Sequence, residues 1–300
     1  MGEIMQMEDH IRKNKRDTVF ICIFMIMLLF GTISGLGFLI GSPPIISLSI
    51  GLPLAIVYVL ITYNFSVKSV LSAAAARPAD PRYPDEKMLI YKVEEMSIAA
   101  GLPMPKVYVQ DSDDINAFAT GKKPEEAVIC CTKGALALLD QHELEGVMAH
   151  EMSHIKNHDI LIATVTVGVV GAIALMAEIV LRAFWWGSIG SRGRNNDAFA
   201  LIIAAAILIG ISLFLSKLTH LWISRKREFL ADASGAMLTR NPEGLASALE
   251  KIRGDILDDP KGSKTVASLY IENPFKRTMK NSLWSTHPPI DERIARLRSM

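Results

Sequence analysis

"VMAHEMSHIKNHDILIATVTVGVVGAIALM", Val147 to Met176, opens with two histidines four apart and a glutamate between them. It then runs into an apolar segment long enough to cross a bilayer. On a helix, positions i and i+4 share a face, so His150 and His154 can reach one metal ion. Glu151 can reach a water on that ion without being a ligand. The alternative is a solvated helix face with incidental histidines, and the surrounding sequence has to decide between them.

The surroundings are those of a membrane protein. Half of the 300 residues are hydrophobic and 21% are charged. Mean hydropathy is +0.28. That is too apolar for an ordinary soluble domain and too charged for a chain buried in lipid throughout. A net charge of +1 argues against nucleic acid as a partner. The three cysteines include no CxxC pair; Cys130 and Cys131 are adjacent, and sequence neighbours rarely meet disulfide geometry. Reduced thiols in a cytosolic compartment are expected.

A hydrocarbon core of ~30 Å needs roughly 20 helical residues. Four runs reach that length: Val19–Gly41, Ile45–Phe65, Ile160–Leu181 and Ala198–Ile223. The first is too long, with too long a polar lead-in, for a cleaved signal peptide. Gly41-Ser42-Pro43-Pro44 joins the first two as a tight hairpin. Arg12, Lys13, Lys15 and Arg16 precede the first run, and Arg225-Lys226-Arg227 follow the fourth. The hairpin carries no basic residue and the loop after the third span only Arg192 and Arg194. The positive-inside rule then puts both termini and the middle segment in the cytosol.

The expected organisation is a cytosolic tail (1–18), a transmembrane hairpin (19–65), a cytosolic segment with the motif (66–159), two further spans (160–223) and a cytosolic segment (224–300). "SAAAARPADPRYPDEK", Ser72 to Lys87, reads as a linker. Within the cytosolic part, periodicity predicts a helix from about Glu86 to Ala100, strands at Lys106–Gln110 and Ala127–Thr132 with a turn at "DSDDINAFATG" between them, and a helix from Glu143 onward. Helices dominate over a small sheet.

A catalytic zinc wants three protein ligands and an open position. In HExxHxxGxxH the third stands six residues after the second histidine; here Asn157 and Ile160 hold the glycine and histidine positions. His158 lies eight residues from His150, about 12 Å along a straight helix, too far to share an ion with it. The better candidate lies in "RKREFLADASG", Arg225 to Gly235. Glu228 and Asp232 are i and i+4, so one face offers a ligand carboxylate and a second that accepts the N–H of a ligand histidine. His154 stands six residues before the third span and Glu228 five after the fourth. Both are then about 8–9 Å from the membrane boundary on one side.

HExxH at His150–His154, Glu228-x-x-x-Asp232, "NAFATG" at Asn116–Gly121 and "STHPPIDERI" at Ser285–Ile294 together resemble the HtpX family of membrane zinc proteases, relatives of the CAAX prenyl endopeptidases. The resemblance covers nearly the whole chain. It implies four transmembrane helices carrying a cytosolic α+β zincin-like (gluzincin) domain, mainly α overall, in the cell (inner) membrane with the active site facing the cytoplasm. It implies one Zn2+ per subunit on His150, His154 and Glu228, with Glu151 as catalytic base and Asp232 orienting a ligand histidine. His287 and Arg293 have the spacing of a pair that assists the transition state in the prenyl endopeptidases. Asn116, Ala117, Phe118 and Ala119 offer an exposed edge for substrate backbone by strand addition.

The expected activity is hydrolysis of peptide bonds in misfolded membrane and cytosolic proteins, in quality control. Polypeptides and the lipid bilayer are the partners. A CAAX-type prenyl protease and a non-catalytic membrane adaptor with a structural zinc are the alternatives.

Overall fold

The computed structural model describes residues 2–39, 41–161, 163–164, 227–255, 269–272 and 288–300, with isolated positions 178, 182, 206, 209, 210 and 214. Most of the third and fourth expected spans, and His287, lie outside the described residues. The chain divides into two compact units: residues 1–16, 66–164 and 220–300, and residues 17–65 and 165–219.

Helix α1 (Gly2–Leu39) and helix α2 (Pro44–Ala73), whose residues 17–65 belong to the second unit, are joined by a turn. Gly41 takes φ 82 there, and Ser42 N donates to Gly37 O at 3.0 Å. Small residues let the two helices approach: Ser34 Oγ donates to Ser47 O at 3.2 Å. α1 starts at Gly2, so the residues expected as a tail continue the helix; from Glu3 to Phe30 nothing interrupts it with glycine or proline. Among the described residues one segment, Pro44–Ile61, with mean hydropathy 2.3, is long and apolar enough to cross a membrane. Cys22–Gly35 is a shorter apolar stretch.

The expected linker is not irregular throughout. α2 runs on to Ala73, and strand β1 (Ala76–Pro78) follows. Arg77 donates from both terminal nitrogens to the Glu86 carboxylate, at 2.9 and 2.5 Å, and so ties β1 to helix α3 (Pro84–Ala100). Pro84 opens α3, and Gly101 closes it at φ 68, where a side chain would be strained.

Strand β2 (Lys106–Gln110) matches the sequence expectation, and β4 (Val128–Thr132) differs from it by one residue. The stretch expected as a turn contains a further strand, β3 (Ala117–Thr120). The sheet order is β1-β2-β4-β3, with β2 and β4 parallel and the other pairs antiparallel. β3 is therefore an edge.

A short helix, α4 (Lys133–Leu138), leads to α5 (Gln141–Lys156), the central helix of this unit. Its start is a capping box. Asp140 Oδ1 accepts from the His142 and Glu143 N–H groups, and Glu143 Oε2 accepts from Asp140 N. α5 is buried on nearly every side, packed on α3, β3 and helix α7 (Pro242–Gly254). Gly146 is what lets α7 come so near: a Cβ there would stand 2.7 Å from Leu245 N.

Candidate metal centre

α5 delivers the HExxH motif into the interior. His150 and Glu151 are 1% and 2% exposed. The second contributor is a helix described over residues 227–239 (α6), which crosses α5 at Gly235. A Cβ on Gly235 would meet His150 N at 3.0 Å and Ala149 C at 3.2 Å, so glycine permits backbone-to-backbone approach beside the motif. That crossing brings Glu228 and Asp232, on consecutive turns, against the two histidines.

The geometry is that of a ligand set. His150 Nε2 and His154 Nε2 are 3.2 Å apart. Glu228 places Oε2 at 3.8 Å from the first and Oε1 at 3.6 Å from the second. One donor atom from each of the three lies within 4.8 Å of the others. Tetrahedral zinc with Zn–N near 2.05 Å separates its donors by roughly 3.3 Å. Two histidines and a carboxylate at these distances fit a four-coordinate divalent cation with one position left for water.

The outer ring nitrogens explain why the inner ones converge. His150 Nδ1 is 3.0 Å from Asp232 Oδ1, and His154 Nδ1 is 3.1 Å from Asp159 Oδ2. The His154–Asp159 contact is in line for a hydrogen bond, whereas His150 Nδ1 is close to Asp232 but out of line for one. A proton drawn to each Nδ1 by its carboxylate leaves both Nε2 lone pairs facing one spot. Such lone pairs repel unless a cation lies between them or a ring is protonated. Burial opposes charge on His154, yet Asp159, Glu228 and Glu151 outweigh it and raise its pKa to about 9. The pocket is built to hold positive charge.

Asp232 is held by helix α8 (Ile290–Leu297) through Arg293, which donates to its Oδ2 at 2.9 Å and Oδ1 at 2.7 Å. Burial alone would raise the Asp232 carboxyl; Arg293 and His150 reverse that and bring it to about 2. Arg293 also approaches Glu228 Oε2 at 3.6 Å. It is fully buried behind the ligands, which suits support of the carboxylates. Arg296 lies over the Phe229 ring at 3.7 Å and pins α8 to α6.

Burial raises the Glu151 carboxyl above the ordinary glutamate range. His150 and His154 draw it down, Glu228 pushes it up, and the Ala119 N–H draws it down. A carboxylate that can take and release a proton thus stands beside the cluster.

Asn116, Ala117, Phe118 and Ala119 stand at the sheet edge, but they are buried rather than exposed as expected. Tyr270 sets its ring edge-on to Phe118 at 5.5 Å, Ile271 N donates to Ala117 O at 3.0 Å, and Asn116 Nδ2 donates to Glu272 O at 2.9 Å. Ile271 O in turn accepts from Arg293 Nη1 at 3.1 Å.

Sequence reasoning grouped His150, Glu151, His154, Glu228 and Asp232, and all five stand together. It missed Asp159. His158 does not extend the ligand face: α5 ends at Lys156 with Asn157 as its cap, and His158 takes a left-handed φ of 58.

Three residues able to hold an ion, with an acid–base carboxylate beside them, are the equipment of a metallopeptidase, and comparison with known proteins gives the same class. The profile of "Peptidase family M48" matches residues 85–300. "Protease HtpX homolog" of Tropheryma whipplei is 41% identical over 295 residues, 98% of each chain. The protein of that description from Dictyoglomus turgidum is 42% identical over 297 residues, 97% of this chain and 93% of its own. That from Thermoanaerobacter pseudethanolicus is 45% identical over 249 residues, 82% of each. A solved structure, S. mikatae Ste24p, aligns at TM-score 0.49 and 16% identity over 90% of this chain and 61% of that one, too loosely to assign a role to any residue. The chain belongs to peptidase family M48 and, within it, to the HtpX proteases. It is a membrane metalloendopeptidase of protein quality control, and polypeptides are its substrates.

Proposed function

We propose that the ion is zinc, one per subunit, held by His150, His154 and Glu228, and that Glu151 is the base for peptide hydrolysis. The observation that carries this reading is the convergence of three donor atoms within 4.8 Å beside a buried Glu151. Donors of this kind usually take zinc among the divalent ions. When bound, zinc polarises the scissile carbonyl and acidifies a water.

Glu151 takes a proton from the attacking water and returns it to the leaving amine nitrogen. Asp232 holds the His150 Nδ1–H, and Arg293 neutralises Asp232 and steadies Glu228. His287 is proposed as a donor to the developing oxyanion on the strength of its spacing from Arg293. Substrate backbone lies along the β3 edge at Ala119, past the part where Asn116 and Ala117 already bond to residues 271 and 272. Ala117 O faces outward to Ile271 N, so Ala119, two residues on, turns its peptide groups to the same side. Pairing through backbone groups reads an extended chain rather than a sequence, which suits unfolded substrates.

We further propose four transmembrane helices, with the domain boundaries given above. The α+β zincin-like unit faces the cytoplasm at the cell (inner) membrane and acts on unfolded membrane proteins and on cytosolic ones. The four apolar runs and the basic residues at Arg12–Arg16 and Arg225–Arg227 support this placement.

The test is cleavage of casein by detergent-purified protein with added zinc, with Glu151→Ala run alongside. Cleavage by the wild type alone supports the reading. Equal cleavage by both would assign the activity to a contaminant and remove its support.

A further inference from the structure

Beyond the break at the end of α5, helical backbone resumes at Asp159. The left-handed His158 turns the chain so that the Asp159 carboxylate faces back to the motif. Oδ2 lies 3.1 Å from His154 Nδ1, and Oδ1 lies 3.5 Å from Arg227 Nε. Asp159 is 6% exposed. Arg227 immediately precedes Glu228 in α6.

The same order of groups stands on the other side of the cluster, where His150 faces Asp232 and Asp232 faces Arg293. Each motif histidine has its own aspartate, and each aspartate its own arginine.

We infer that Asp159 is a positioning residue of the metal centre. It holds the His154 Nδ1–H, so that Nε2 is the ligand atom, and through Arg227 it ties the end of the motif helix to the first described turn of the helix that brings Glu228. The inference rests on His150, His154 and Glu228 being the metal ligands.

A neutral imidazole carries one proton, and the acceptor it meets decides which nitrogen holds it. With no acceptor at Nδ1, the ring samples the other tautomer and other orientations, and the competent fraction falls; apparent affinity falls with it. The Arg227 contact adds a second function. Ligands from two segments must arrive together, and a carboxylate shared between a histidine of one and an arginine beside the third ligand holds the segments in register. An aspartate at the start of a helical turn also favours the helix by itself. That role needs neither His154 nor Arg227, and the experiment separates the two.

Zinc affinity would be measured on detergent-purified full-length protein by competition with a chromophoric chelator, for wild type, Asp159→Ala and Asp159→Asn. Metal-free melting temperatures would be recorded in parallel. Loss of such a partner typically weakens metal binding about 10–100-fold, the range expected for Asp159→Ala. Asp159→Asn, whose amide oxygen still accepts from Nδ1–H, loses less, while the two metal-free variants melt together. Unchanged affinity in Asp159→Ala overturns the inference. So does an equal loss in both variants that follows a fall in melting temperature, the mark of a purely structural residue. If the wild type itself takes up no zinc, the ligand assignment falls and the inference with it. Normal wild-type uptake that Glu228→Ala abolishes and Asp159→Ala leaves intact sinks this inference alone.

Discussion

Arg293 grips Asp232 through two hydrogen bonds, Nε to Oδ2 at 2.9 Å and Nη2 to Oδ1 at 2.7 Å, with the guanidinium fully buried. Removing one partner of such a pair strands the other charge, at a cost of about 3–5 kcal/mol. Arg293→Leu should therefore lower the metal-free melting temperature sharply. The double variant Arg293→Leu/Asp232→Leu should recover part of that loss, since it no longer strands the Asp232 charge, although Glu228, 3.6 Å from the guanidinium, still loses its neighbour. A double variant less stable than Arg293→Leu would show that the pair is not what Arg293 supports.

Gly146 governs how close α7 lies to α5. Alanine is the better helix residue by about 1 kcal/mol, but its Cβ would stand 2.7 Å from the Leu245 backbone nitrogen. Overpacking of this kind costs about 1–3 kcal/mol. Gly146→Ala is expected to melt lower than the wild type in thermal denaturation. An increase in melting temperature would mean that α7 moves aside freely.

Glu86 links stability to pH away from the metal centre. The Arg77 hydrogen bonds hold its carboxyl below the ordinary value of 4.5, against the opposing effect of burial. A lowered folded pKa gives stability that is present above the unfolded value and is lost as pH falls through the folded one. Melting curves of wild type and Glu86→Gln should differ at neutral pH and converge as pH drops below about 4.5, the ordinary glutamate range. A difference that persists undiminished into acid would mean that Glu86 acts through shape rather than charge.

Strand addition along β3 depends on backbone N–H groups of the substrate. A peptide N-methylated at the residue facing Ala119 loses a hydrogen bond and gains a clash. At about 1.4 kcal/mol per tenfold, loss of one such bond raises KM roughly tenfold. The comparison is a series of peptides N-methylated one position at a time. A uniform response along the series would argue against pairing at this edge.

Much of this centre was legible in the sequence because its chemistry follows helical spacing. His150 and His154, and Glu228 and Asp232, are i and i+4 pairs, a pattern that survives any tertiary arrangement. α3, β2 and β4 were legible from periodicity and turn residues. β3 was not: "AFAT" is four residues long, half of them alanine, and it is a strand because β4 pairs with it. Asp159 was hidden because reading α5 as continuing toward the membrane points that side chain elsewhere. The left-handed turn at His158, which brings it back, has no local signature. The grip of Arg293 on Asp232 joins residues far apart in the chain, and only the packing of α8 on α6 creates it.

The central claim is the division of labour between Glu228 as ligand and Glu151 as base, and bound metal measures it most directly. Wild type, Glu228→Ala and Glu151→Gln would be purified in detergent, equilibrated with zinc, desalted, and assayed for zinc by elemental analysis. The account predicts about one zinc per chain for the wild type and for Glu151→Gln, and almost none for Glu228→Ala. Normal zinc in Glu228→Ala, or its loss from Glu151→Gln, would contradict it.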